Sequence, residues 1–198
     1  EKCLTQNVKK QFEELQSLLE RAMALQTSMV LFEWDDETLA PKGAAEHTAR
    51  VIGSLSEQYQ EILASMRFKE LLDACQKAEK ENAGVFDEVQ SAILREAAEE
   101  QERLSCIPPE EYRAYAELTA RATGIWTRAR EKNDFASFAP VLKEIISYQK
   151  KFAAYRAKPG QKLYDVMLDT YEKGFNMEML DPFFELMKGK IVPLLKES

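Results

Sequence analysis

The stretch LFEWDDETLAPKGAAEHTA, residues 31–49, holds the side chains of this sequence best suited to acid/base or metal chemistry. Glu33, Asp35, Asp36 and Glu37 are oxygen donors for a hard cation, and His47 is the one histidine of the chain. Spacing argues against a cation site. A calcium loop sets its oxygens as D-x-[DN]-x-[DN]-G, which these acids lack, and helical periodicity would scatter them around the axis. They read instead as a solvated helix end before a Pro-Lys-Gly break, with one or two carboxylates capping neighbouring N–H groups. Trp34 is expected to pack in the core.

Other site chemistries meet the same shortage. A zinc hydrolase takes two histidines from one H-E-x-x-H turn, because positions i and i+4 share a helix face. A bundle di-iron site needs Glu-x-x-His twice. One histidine supplies neither within this chain. A Ser-His-Asp triad would depend on His47, yet there is no G-x-S-x-G elbow, and no phosphate-binding G-x-x-x-x-G-K-[ST] occurs. His47 reads as an exposed or half-buried helix residue, so neither a catalytic residue nor a metal ligand is assigned.

Cys3, Cys75 and Cys106 are far apart and form no CxxC pair, which fits free, buried or partly buried thiols in a reducing compartment. Net charge is −7 and the pI about 5.0. The Lys and Arg residues are dispersed among the acids, so no basic stripe offers itself to phosphate. Nucleic acid and anionic membrane are poor partners. No 18-residue apolar run marks a membrane span, and the first residues lack a basic-then-apolar leader. A cytoplasmic location is expected.

These residues must be positioned by helices. Leu4, Val8, Phe12, Leu15, Leu19 and Ala22 recur in steps of three and four, as do Val51, Leu55, Tyr59, Ile62 and Met66. Tyr115, Leu118, Ala122, Trp126 and Ala129 form a third stripe; Val141, Leu142, Ile145, Phe152 and Tyr155 form a fourth. Trp126 is expected to pack over a helix face, with Arg121, Arg128 and Arg130 in surface pairs. Period-two alternation is essentially missing. Breaks fall at Pro41 and Gly43, at Asn82-Ala83-Gly84, at Pro108-Pro109 and at Lys158-Pro159-Gly160. Asn133-Asp134 and Ser137 offer caps for a helix with Pro140 in its first turn, and a last helix runs from about Met177 or Pro182 to Lys196. The fold is predicted to be all-α, a single domain of seven or eight helices, with sequence neighbours packed as antiparallel hairpins.

Three stretches also carry a family pattern. Trp34, Asp35, Glu37, Thr38, Pro41, Gly43 and Ala44 stand where W-D-x-E-T-x-M-P-x-G-[AG] requires them, and Arg50 and Leu55 follow in the same stretch. Trp126, Ala129, Arg130, Asp134, Phe135, Phe138, Pro140 and Leu142 follow W-x-x-A-[RK]-x-x-[ND]-[DN]-F-x-x-F-x-P-x-L. Tyr164, Asp165, Leu168, Asp169, Tyr171, Glu172, Gly174, Leu180, Asp181 and Phe184 follow Y-D-x-L-L-D-x-[YF]-E-x-G-x-x-x-x-x-L-D-x-x-F. In this order the motifs resemble the N-terminal region of the carboxypeptidase Taq family of metallocarboxypeptidases. Departures are Ala40 where the family has Met, and Gln58 or Gln60 where it has His-Glu.

The resemblance implies a parent enzyme, zinc- or cobalt-dependent, that releases C-terminal amino acids from peptides with H-E-x-x-H in a region beyond these motifs. It assigns this chain the wall and cover of the substrate cleft and carries no catalytic residue onto it. The expectation is an N-terminal fragment of a much longer peptidase, whose first residue Glu1 is not a native start and whose exposed apolar surface favours homo-oligomers. The alternative is a free-standing helical interaction module built on the same scaffold.

Overall fold

A computed structural model describes the backbone of residues 2–197 and the side chains of residues 6–41 and 43–196. The elements are α1 (Lys2–Thr38), a 3-10 turn (Lys42–Ala44), α2 (Ala45–Leu63), α3 (Met66–Glu81), α4 (Glu88–Ser105), α5 (Pro109–Glu131), α6 (Phe135–Arg156), α7 (Leu163–Tyr171) and α8 (Met177–Glu197). The fold is all-α, with no strand among the described residues. It divides into two compact units, Glu1–Ile145 and Ile146–Ser198.

Helix boundaries follow local chemistry. At α1's end the N–H groups of Leu39 and Ala40 both donate to Asp35 O, at 2.9 and 2.8 Å, and Pro41 then takes extended backbone (φ −65°, ψ 141°). Ser65 Oγ accepts from Phe68 N at the start of α3. Asp87 and Gln90 form a reciprocal capping box before α4. Pro109 opens α5 with Glu110 and Glu111 in the first turn, where the helix dipole favours acids. Asp134 Oδ1 accepts from Ser137 N at 3.2 Å, so α6 begins at Phe135 and Pro140 lies beyond its first turn. The expected first-turn position is corrected by this earlier cap, and Pro140 removes one i→i−4 bond inside the helix.

The core of the first unit gathers Phe12, Leu15 and Ala22 of α1, Tyr59 and Leu63 of α2, and Phe68, Leu71, Leu72 and Cys75 of α3. Phe86 and Leu94, Ala97 and Leu104 of α4 complete it. Phe12 and Phe86 rings meet at 5.1 Å. The first predicted stripe is therefore largely the buried face of α1; Leu4 and Cys3 have side chains outside the described set. On α2 the face turns by one residue. Ala49, Ile52, Gly53, Ser56, Tyr59, Gln60 and Leu63 are buried, whereas Met66, the end of the predicted stripe, opens α3 and is exposed.

Sequence neighbours α1 and α2, and α3 and α4, do pack on each other, alongside pairs that are distant in sequence. The most extensive helix contact joins α2 and α5, which are not adjacent in sequence, followed by α1 with α2 and α1 with α3. Gly53 explains how α2 and α5 come so close. A Cβ built there would lie 2.3 Å from Glu117 Cγ of α5, so only a glycine leaves this approach open.

In the second unit Phe152, Ala153 and Val166 are buried, and Tyr148 and Phe152 rings lie 5.7 Å apart. Tyr155, the end of the fourth predicted stripe, is exposed.

Candidate functional site

The end of α1 lines a cleft of about 220 Å³ with the start of α2 and the middle of α5. Glu33, Asp36 and Glu37 come from α1, Thr48, Ala49 and Ile52 from α2, and Thr119, Ala120 and Thr123 from α5. Glu33 and Glu37 are four residues apart and so share a helix face. They sit in the C-terminal turns of α1, where the dipole disfavours negative charge and no basic residue of the last turn compensates. Partial burial raises the Glu33 carboxyl above the ordinary range, and the charge of Glu37 adds to the rise.

This arrangement differs from the expected helix cap. The main-chain oxygen of Asp35, rather than any of the four carboxylates, takes the N–H groups of the following turn. Asp35 is exposed, and Thr38 Oγ1 donates to Trp34 O at 2.6 Å. Trp34 is 57% exposed, which corrects its expected place in the core. His47 is exposed on α2. Among the described residues, no group of three His, Cys, Asp or Glu side chains could hold a metal ion. The donor set of the described residues therefore does not fit a metallopeptidase centre.

The other signature residues build turns and helix contacts. Pro41 and Gly43 shape the α1–α2 connection. Arg50 faces Glu46 at 3.5 Å, and Glu46 is also 3.5 Å from Arg121 of α5. Trp126 is 45% exposed, which corrects its expected packing; the Arg130 guanidinium covers its ring at 5.2 Å. Asp134 caps α6, and Phe135 is exposed beside it. Asp165 Oδ1 accepts from Met177 N and Asp169 Oδ1 from Gly174 N, both at 2.8 Å. Gly174 has φ of 80°, a left-handed turn suited to glycine. Tyr164 and Glu172 are exposed at the ends of α7. These residues belong to separate structural joints, and Glu37 alone of the signature set lines the cleft.

Two polar clusters carry no motif. Gln60 is fully buried; its Nε2 donates to Leu104 O at 3.1 Å and Ile107 O at 2.6 Å, closing the C-terminal end of α4 onto α2. Nearby, Tyr59 Oη donates to Glu100 Oε1 at 2.9 Å, and Arg103 Nε donates to Glu100 Oε2 at 2.8 Å. Burial and the Glu100 charge push the Tyr59 phenol well above its usual range. For Arg103, burial opposes the charge, but the hydrogen bond to Glu100 wins and the net shift is upward. The sequence signal for both clusters is their phase, since Gln60 and Tyr59 fall on the buried face of α2.

The sequence model of the carboxypeptidase Taq metallopeptidase family matches residues 14–198. The chain is 34% identical over 184 residues to Carboxypeptidase 1 of Bacillus subtilis (strain 168), covering 93% of this chain and 36% of that protein. It is 31% identical over 175 residues to Thermostable carboxypeptidase 1 of Pyrococcus furiosus, covering 88% and 34%. The crystal structure of BsuCP superposes with a TM-score of 0.89 at 32% identity, over 95% of this chain and 37% of that one. The chain thus spans little more than a third of the length of these relatives, and it matches their N-terminal helical portion.

Proposed function

The chain belongs to the carboxypeptidase Taq metallopeptidase family, and from that premise we propose that it is the non-catalytic N-terminal helical part of a zinc- or cobalt-dependent carboxypeptidase. That enzyme releases C-terminal amino acids from peptides, and this part forms a wall and cover of its substrate cleft. Family members are metal-dependent peptidases, whereas the described residues of this chain present no metal-binding group. The observation that carries the reading is the superposition of nearly the whole chain on about a third of a longer relative. The single histidine supports it, because H-E-x-x-H cannot be written with one. The reading places the protein in the cytoplasm and includes self-association through its exposed apolar surface.

The test is carboxypeptidase turnover. This chain alone, with zinc or cobalt added, is expected to release no C-terminal residue from a peptide. A chimera in which it replaces the matching portion of the Bacillus subtilis relative is expected to do so and to lose turnover with a chelator. Turnover by the chain alone would overturn the non-catalytic assignment. The second reading, a free-standing interaction module, is favoured by a reading frame that stops after Ser198 and disfavoured by one that continues into H-E-x-x-H.

A further inference from the structure

We draw no further inference here: the strongest candidate, the cleft that Glu33, Asp36 and Glu37 of α1 form with Thr48 of α2 and Thr119 and Thr123 of α5, belongs to the site already described and is a cluster of carboxylates in which no fully buried, unpartnered polar side chain among the described residues points to a ligand.

Discussion

Gly53 of α2 sits against Glu117 of α5 so closely that a Cβ at position 53 would meet Glu117 Cγ at 2.3 Å and Oε1 at 2.8 Å. Glu117 cannot retreat without cost, because its Oε1 accepts from Arg113 Nε at 3.1 Å. Arg113 also donates to Glu57 Oε2 of α2 at 2.9 Å, so one arginine ties both helices at their closest approach. Gly53→Ala is expected to destabilise the chain by about 1–3 kcal/mol through overpacking, despite alanine's better helix propensity. Urea unfolding of Gly53→Ala, Glu117→Ala and the double variant gives the check. The double variant should lose less than the sum of the two, since removing Cγ makes the space.

Gln60 supplies the second prediction. Its amide donates to two carbonyl groups at the end of α4; removing it takes this donor from both, although Leu104 O keeps the bond from Ile107 N at 3.1 Å. Gln60→Ala is expected to cost about 2–5 kcal/mol, from the lost hydrogen bonds and the cavity together. Gln60→Glu should be more stable at acidic than at neutral pH. A buried carboxyl facing carbonyl oxygens holds its proton to higher pH than it does when unfolded, and the folded state loses stability as pH rises through that raised value. A Gln60→Glu protein with a flat stability difference from the parent across this range would contradict the assignment.

Glu33 predicts a pH effect of the same sign in the native chain. Burial first, and Glu37 second, raise its carboxyl, so the folded chain binds this proton more tightly than the unfolded chain does. Stability then falls as pH rises through the raised value, and Glu33→Gln is expected to raise the melting temperature at neutral pH. Under acidic conditions, where Glu33 is already protonated, the gain should vanish. Melting curves of the two proteins at both pH values decide it.

Thiol reactivity separates Cys75 from Cys106. Cys75 is completely buried and its thiol is pushed up to about 11 by burial. Cys106 is half-buried at the end of α4, with Sγ 3.5 Å from Arg103 O. In a Cys3→Ser background, a thiol reagent at neutral pH should modify Cys106 first and reach Cys75 only with unfolding. Equal labelling rates in the folded protein would refute this order.

Asp165 and Asp169 test the structural reading of the third motif. Each accepts one backbone N–H of the α7–α8 connection. Asp165→Ala removes an acceptor at the start of α8 and should cost about 1 kcal/mol, within the usual range for such caps. Amide hydrogen exchange is expected to quicken at the first turn of α8 and not in α2 or α5. A change confined to peptide turnover of the chimera, with exchange unaltered, would instead point to a role at substrate.

Sequence alone determined the helical class, the main breaks and the family, because helical periodicity, proline, glycine and capping residues act over a few residues. Pro109 with Glu110 and Glu111 opens α5 where the sequence places it, and Asp165, Asp169 and Gly174 mark a turn. Tertiary structure decided which faces meet. Trp34 has the bulk and Trp126 the stripe-like spacing of core residues, yet both stand exposed, and burial on α2 is phased through Ile52, Tyr59 and Gln60 instead of Val51 and Leu55. Periodicity records that a helix has an apolar face but not what lies opposite it. The α2–α5 approach joins residues far apart in sequence, and only the folded chain brings Gly53 to Glu117. The acidic cleft follows from the same contact: Glu33 and Glu37 become a site wall once α2 and α5 supply Thr48, Thr119 and Thr123 beside them.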